Sequence, residues 1–263
     1  MTSEIAALRK IADDAEESGD IQTAFQAWRE IASKTGKAVA YCYVGRTATE
    51  LGKWPEAETA FLRALEISPG FSVAMIMFGE LFLRRADGDR AGNLKTAKVW
   101  LFRSLEIQRL APTLSLLASA HNRLGEKAAA KRAWREALEV DNFYEEAYFN
   151  LAGLAIEERN ERQAEKLLRT AIELDPAYFI AHGRLGELFH KQGRYLEAEA
   201  EFRRCIEIDP SAYFSHTHLA DALSAQERVT EAEQEYRTAL GIRPDYEPAI
   251  TKLRELPGKP FSQ

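Results

Sequence analysis

The 263-residue chain has few cysteines, glycines and prolines and no excess of positive charge, and each of these features excludes a class of protein. Its two cysteines, Cys42 and Cys205, are too few for a scaffold held together by disulfide bonds. With 15 glycines, 9 prolines and 46% apolar residues, it is neither collagen-like nor a long disordered chain. Positive charge is not in excess, because 35 Lys and Arg stand against 41 Asp and Glu, a net charge of −6. An acidic balance argues against non-specific nucleic-acid binding, so no nucleic-acid partner is predicted.

Long apolar runs are missing as well. No uninterrupted apolar stretch approaches the roughly 18 residues that a transmembrane helix needs, so no membrane segment is predicted. The first part of the chain holds Glu4, Arg9 and Asp13 among many charged side chains, where a signal peptide would have an apolar stretch. We therefore expect a cytoplasmic protein.

Sequence motifs of common enzymes are also missing. The segment from Gly45 to Lys53 has the wrong spacing for a phosphate-binding loop, and it continues with Trp54 instead of Ser or Thr. There is no Gly-x-Gly-x-x-Gly after a strand, no Gly-x-Ser-x-Gly, no His-Glu-x-x-His and no Cys-x-x-Cys. We predict no catalytic residues, no cofactor and no enzymatic activity.

What the chain does have is a repeat. Segments of 34 residues follow one another without gaps near the C-terminus, and similar segments precede them. The copies are residues 5–37, 38–71, 72–110, 111–144, 145–178, 179–212 and 213–246, of which the first is one residue short and the third has a net five extra.

Certain positions of the repeat have constant chemistry. The twentieth position is alanine in all seven copies, and the eighth is always alanine or glycine. The seventh and the twenty-fourth are large and apolar, as Leu185 and Phe202 are in the sixth copy. Small residues allow two helices to approach closely, and large ones fill the space between helices at close-packed density. We therefore predict that these four positions form the core.

Glycine and proline mark the ends of predicted helices. Glycine at the fifteenth position (Gly19, Gly52, Gly125 and Gly193) ends the first helix of a copy in the left-handed region. Proline at the thirty-second position (Pro69, Pro176, Pro210 and Pro244) ends the second helix. Each copy is therefore predicted to be a helix–turn–helix. The insertion Ala86–Asn93 in the third copy is predicted to be a loop.

These residues resemble the tetratricopeptide repeat, as Leu151, Ala152, Ala164, Ala171 and Pro176 illustrate in one copy. The resemblance implies an all-α fold, a right-handed α-solenoid of seven repeats. It implies a single domain over residues 1–258, closed by a capping helix at 247–256. The tail at residues 257–263 is expected to be flexible.

In this family the first helix of each repeat lines a concave groove, so the resemblance implies where a partner binds. The middle of the groove is expected to be apolar and rimmed by charges, which suits an extended peptide or an amphipathic helix of a partner protein. The residues predicted to contact the partner are Ile76, Leu83, Arg84, Arg123, Phe149, Asn150, Ile156, Ile180, Arg184 and Glu187. Any one of these side chains could instead pack against a neighbouring helix.

Relatives that bind chaperone tails hold a C-terminal carboxylate with five polar or basic residues. At the corresponding positions this chain has Asn150 and Arg184, which fit, and Ser115, Ser119 and Ile180, which do not. Two partners of five compensate a buried carboxylate poorly, so chaperone-tail binding is not predicted.

The histidines do not follow a metal-binding pattern. His182 and His216 occupy the same fourth position in adjacent repeats, where packing explains them. His216 and His218 are two residues apart on a helix and do not face each other. We predict no metal site.

Two functions remain open at this point. The first is a non-catalytic adaptor or scaffold that binds a partner in the groove. The alternative is a structural scaffold that self-assembles into homo-oligomers through its terminal repeats, which would depend on Ile5, Leu8, Ile250 or Leu253.

Overall fold

The computed structural model describes residues 3–85 and 88–256. In these residues every element of regular secondary structure is an α-helix. The predicted all-α class is therefore confirmed. In chain order the helices are α1 (Ser3–Glu17), α2 (Ile21–Thr35), α3 (Ala38–Glu50), α4 (Trp54–Ile67), α5 (Ser72–Arg84), α6 (Arg90–Ile107), α7 (Ala111–Arg123), α8 (Lys127–Val140), α9 (Glu145–Glu157), α10 (Glu161–Leu174), α11 (Phe179–Lys191), α12 (Tyr195–Ile208), α13 (Tyr213–Ala225), α14 (Val229–Ile242) and α15 (Glu247–Glu255).

The helices form two compact units. Unit 1 is Met1–Asn142 and contains α1 to α8, and unit 2 is Phe143–Gln263 and contains α9 to α15. Within each unit every odd-numbered helix packs closely on the even-numbered helix that follows it, except α15, which packs on α14. Each unit has a hydrophobic core of its own. The architecture is an all-α repeat solenoid, and its description as one domain over residues 1–258 stays a prediction.

The constant positions of the repeat form the core, as predicted. The alanines at the twentieth position are completely buried, and the large residues at the twenty-fourth are at most 5% exposed. Gly186 faces the ring of Phe202, where an added Cβ atom would lie 2.6 Å from a ring carbon. Glycine is therefore required at this eighth position because the two helices of the pair approach so closely.

The turns within the helical pairs also follow the prediction, with one addition. Gly19, Gly52, Gly125 and Gly193 all have φ between 69° and 78°, in the left-handed region. Arg159 and Glu227 occupy the same fifteenth position in their repeats, and they adopt φ of 57° and 63°. The left-handed turn is therefore formed even where no glycine is present.

Helices end at the predicted place with or without proline. α10 ends at Leu174, two residues before Pro176, and α8 ends at Val140, two residues before Asn142. The helix therefore stops at the same place in the repeat whether or not proline follows. The predicted capping helix is α15, Glu247–Glu255. The predicted tail at 257–263 lies outside the described residues.

Two predictions about the first unit were wrong in part. The insertion was expected to be a loop as far as Asn93, but α6 begins at Arg90 because the Asp89 side chain caps it by accepting a hydrogen bond from the Ala91 N–H. Ala86 and Asp87 lie outside the described residues. Ile11 was expected in the core at a seventh position, but it is 47% exposed because no helix precedes α1 to cover it in the described residues.

Candidate functional site

The odd-numbered helices form one face of each unit. In unit 1, α3 contacts α5 and α5 contacts α7, and in unit 2, α11 contacts α13 and α13 contacts α15. Among the described residues, no two even-numbered helices make contacts of similar extent. Within a unit the odd-numbered helices are therefore closer together than the even-numbered ones. We call the surface of the odd-numbered helices the inner face of that unit.

A row of exposed apolar side chains lies on each inner face. It is formed by the second residue of an odd-numbered helix, and the members are Val39 (51% exposed) and Val73 (44%) in unit 1 and Ile180 (49%) and Phe214 (38%) in unit 2. The same position holds proline in α7 and glutamate in α9. Apolar side chains that recur at one position of the inner face form a surface that a partner can cover.

In unit 2 the row is supported by aromatic neighbours. The ring of Phe214 lies edge-on to Phe179 and to Tyr213, with 5.6 Å between ring centroids in both pairs. Tyr213 in turn contacts Tyr246 at 4.8 Å. Edge-to-face pairs of this kind are favourable and hold the rings in position. Phe214 is thus presented on a fixed aromatic base.

The predicted apolar residues of unit 2 differ in exposure. Ile180 is half exposed, as a partner-contacting residue must be. Phe149 and Ile156 are only partly buried, but both pack against the core, and Phe149 contacts the ring of Tyr178 at 5.5 Å. Ile180 is therefore the best placed of the three for contact with a partner.

The predicted polar residues of unit 2 are engaged within the chain. The Asn150 side-chain amide donates a hydrogen bond of 2.9 Å to the Glu146 carbonyl oxygen in its own helix. Arg184 pairs with Glu187 at 3.1 Å, and both side chains remain partly exposed. The Arg184–Glu187 pair lies on the same helix as Ile180 and gives the surface beside it both charge signs.

In unit 1 the predicted site requires a correction. Leu83 was expected in the groove, but it is only 8% exposed and belongs to the core. The Arg123 guanidinium donates a hydrogen bond to the Leu83 carbonyl oxygen and so ties the end of α7 to the end of α5. Burial, together with the nearby Arg90, lowers the pKa of Arg123. Ile76 is half-buried, and Arg84 and Arg123 are exposed, so of the four residues predicted in unit 1 only Leu83 is inaccessible to a partner.

The exposed row contains three residues that sequence reasoning did not select. Val39, Val73 and Phe214 occupy the same position of their helices as Ile180, which was selected. The signal was therefore present in the repeat alignment as one apolar column. Residues such as Leu83 were predicted to contact the partner in preference to this column. The sequence does not separate the two cases, because an apolar residue on a predicted groove helix can point to the core as well as to the groove.

His182 and His216 are held within the fold. They are 6% and 7% exposed, and each Nδ1 lies 2.7 Å from a carboxylate oxygen, of Glu201 and Glu235 respectively. Each Nε2 lies near a proline carbonyl oxygen in the preceding turn. The predicted structural role is confirmed for both. No group of three or more metal-binding side chains converges in the part of the chain that the structure describes.

Both cysteines are buried free thiols. Burial raises the pKa of Cys42 to about 12 and, with the charge of Glu201, that of Cys205 to about 11. A thiol of such high pKa carries almost no thiolate at neutral pH, and thiolate is the nucleophilic form. Neither thiol has the properties of a catalytic nucleophile.

None of the helices in residues 3–85 and 88–256 combines the length and the apolar character that crossing a membrane requires.

Two family profiles match the chain, and both are described as tetratricopeptide repeat. They cover residues 154–213 and residues 189–256. No curated protein matches the sequence. The residues covered by the two family profiles include the inner-face helices α11 and α13. The total of seven repeats stays a prediction, because the profiles do not extend to the earlier copies.

Solved structures of low sequence identity share the fold. The Cut9–Hcn1 hetero-tetramer of the APC/C matches 92% of this chain at 18% identity with a TM-score of 0.70, and the chain spans about half of that protein, 47% of its length. A tetratricopeptide repeat protein from Parabacteroides merdae matches at 16% identity with a TM-score of 0.65, covering 96% of this chain and 98% of that one. PilF from Pseudomonas aeruginosa matches at 17% identity with a TM-score of 0.67, covering 82% and 96%.

Proposed function

We propose that the chain is a tetratricopeptide repeat protein and a non-catalytic interaction module that binds a segment of a partner protein on an inner face. Proteins of this repeat type generally mediate protein–protein contacts, and the similar Cut9 structure is itself a hetero-tetramer with Hcn1. The proposal places the contact in unit 2. The observation that carries it is the exposed pair Ile180 and Phe214 on neighbouring helices of that face.

The chemistry of the inner face of unit 2 indicates the kind of segment that it would bind. Ile180 and Phe214 offer apolar contact, and the Arg184–Glu187 pair offers one charge of each sign beside them. An extended peptide or an amphipathic helix with apolar anchors and mixed charge fits such a surface. The apolar anchors would supply most of the affinity, because buried aromatic and aliphatic side chains dominate interface energies.

The test is affinity capture from native lysate with the wild-type chain and with Ile180→Glu. We expect the partner to be lost with Ile180→Glu, because a charge placed in an apolar contact is desolvated without compensation. Leu196→Glu is the matched control. Leu196 is an apolar residue of the same unit, 73% exposed, but it lies on the even-numbered helix α12. Equal recovery of the partner with Ile180→Glu and Leu196→Glu contradicts the proposal.

The alternative, self-assembly through the ends of the chain, rests on a different observation. Ile11 is 47% exposed on α1, whereas its counterparts Val44 and Leu185 are buried. Ile5, Leu8 and Leu253, which the alternative also uses, pack in part against the core of their own units. Sedimentation at increasing concentration separates the two functions. If the chain is an interaction module, it should sediment as a monomer at all concentrations. If it self-assembles, it should form oligomers that Ile11→Glu abolishes.

A further inference from the structure

Three arginines of unit 1 lie where α5 ends, α6 begins and α7 ends. Arg84 is the last residue of α5, Arg90 is the first of α6 and Arg123 is the last of α7. The Arg123 guanidinium donates a hydrogen bond to the Leu83 carbonyl oxygen, which places it at the end of α5. Burial, and after it the charge of Arg90, lower the pKa of Arg123, so the charges of Arg90 and Arg123 act on each other. We call Arg84, Arg90 and Arg123 the arginine cluster.

Two members of the arginine cluster have no carboxylate partner. Neither Arg90 nor Arg123 forms an ion pair with any residue that the structure describes. The carboxylates next to them along the chain are used elsewhere, because Asp89 caps the first turn of α6 and Glu126 pairs with Lys98 at 2.6 Å. Both guanidinium groups are exposed, so an anion from solution can reach them.

Arg90 is the member of the cluster whose charge the fold does not compensate. A positive side chain in the last turn of a helix interacts favourably with the helix dipole, and Arg84 and Arg123 have that position. The charge of Arg84 also acts on Glu80, one turn earlier in α5. Arg90 is the first residue of α6, where the dipole is positive, and Arg123 repels it as well. A bound anion would offset both unfavourable interactions.

We propose that the arginine cluster binds a phosphate group. Each guanidinium presents several N–H donors in one plane, and a phosphate group has enough oxygens to accept from Arg90 and Arg123 at once. A carboxylate has only two oxygens and one negative charge, so phosphate suits a pair of guanidinium groups better. The group can be free phosphate or the phosphate of a phosphorylated side chain. The site lies in unit 1 and is distinct from the inner face of unit 2 proposed above.

Nuclear magnetic resonance of the arginine side chains in the isotope-labelled full chain tests the proposal. Inorganic phosphate replaces sodium chloride at constant ionic strength, so that screening of exposed charges stays the same. We expect the Nε–H signals of Arg90 and Arg123 to shift and to reach saturation. The signal of Arg132, an exposed arginine of α8 that also lacks an ion pair in the described part of the chain, should not shift. Equal shifts of all three signals, or no shifts, overturn the proposal.

Variants of the chain locate the phosphate. Arg90→Gln should weaken phosphate binding by about tenfold or more, because one of the two guanidinium groups is lost. In sodium chloride, Arg90→Gln should have a higher urea midpoint than wild type, because the repulsion from Arg123 is removed, and in phosphate this gain should shrink or reverse. Arg132→Gln is the matched control and should bind phosphate as wild type does. If Arg90→Gln and Arg132→Gln behave alike in both salts, the proposal is wrong.

A second titration identifies the source of the phosphate group. A blocked glycine–phosphoserine–glycine peptide is compared with inorganic phosphate and with the same peptide containing serine. Tighter binding of the phosphopeptide assigns the site to a phosphorylated protein segment, and equal or weaker binding assigns it to free phosphate. The serine peptide should leave the Arg90 and Arg123 signals unchanged. Shifts as large as those caused by the phosphopeptide would show that the phosphate group is not what binds, and would overturn the proposal.

Discussion

Arg159 and Glu227 form left-handed turns at which the other repeats use glycine. Their φ values of 57° and 63° cost non-glycine residues about 1–2 kcal/mol. Glycine would remove that cost but lose about 0.5–1 kcal/mol more backbone entropy on folding. We therefore predict that Arg159→Gly and Glu227→Gly each stabilise the chain by up to about 1 kcal/mol. Urea unfolding followed by circular dichroism measures the change.

The reverse substitution provides the control for these turns. Gly125 and Gly193 have φ of 78° and 74°, and no atom lies within 4 Å of a Cβ built at either. Gly125→Ala and Gly193→Ala should therefore lower stability through the backbone alone, by about 1 kcal/mol. A loss of stability in Arg159→Gly would show that the arginine side chain contributes more than the strain of its backbone.

Glu80 is a partly buried carboxylate on the inner face of unit 1. Burial raises its pKa above the usual 4.5, and the nearby Arg84 opposes the shift only in part. A carboxyl group whose pKa is raised by folding destabilises the folded state as pH rises above its unfolded pKa. We therefore predict that Glu80→Gln is more stable than wild type at pH 7, and that the gain shrinks as pH falls through about 4.5.

Urea midpoints at neutral and at acidic pH test this prediction. Glu187→Gln is the control, because Glu187 has the same position in α11 but pairs with Arg184 at 3.1 Å. Removing the Glu187 carboxylate should therefore give no increase in the urea midpoint at pH 7. A Glu80→Gln gain that is equal at both pH values would mean that the effect does not come from the charge.

At the scale of helices, charged pairs connect one even-numbered helix to the start of the next. Arg194 at the start of α12 pairs with Glu165 of α10 at 2.7 Å, and Arg228 at the start of α14 pairs with Glu199 of α12 at 2.6 Å. In unit 1 the same connection has opposite polarity: Glu126 at the start of α8 pairs with Lys98 of α6 at 2.6 Å. The ion pair is therefore found at the same place in these repeats, but the positive and the negative side chain are exchanged between the two units.

The reversed pair makes a charge-swap experiment possible. Glu126→Arg and Lys98→Glu should each lower the urea midpoint, and the double variant should regain most of the loss, because it restores an attractive pair with the polarity found in unit 2. Glu126→Arg and the double variant both lose the contact between His121 and Glu126. That loss therefore cancels when these two variants are compared with each other. A double variant that is simply the sum of the two singles would mean that the pair does not connect the helices.

The helices could be predicted well from the sequence, and the exposure of individual side chains could not. Alanine at the twentieth position and apolar residues at the twenty-fourth repeat in every copy, so they reveal the period and the core. The start of α6 at Arg90 depends on a cap by Asp89 within an insertion that has no counterpart in other copies. Leu83 is apolar whether it faces the core or a partner, so its burial had to be read from the structure.

For the molecule as a whole, the binding surface that we propose for a partner segment lies in unit 2. The inner face of unit 2 presents Ile180 and Phe214 beside a mixed pair of charges. The apolar column at the second helix position can be read from the repeat alignment, but the exposure of its side chains is known only from the structure.

Site-specific photo-crosslinking reports contact at the inner face of unit 2 without changing the charge of the surface. A benzophenone amino acid placed at Ile180 or Phe214 on the inner face of unit 2 would be compared with one at Leu196 on α12. If a partner binds the inner face of unit 2, we expect a covalent adduct with one partner protein from the first two positions and none from the third. Adducts with the same partner from Leu196, and none from Ile180 and Phe214, would contradict it.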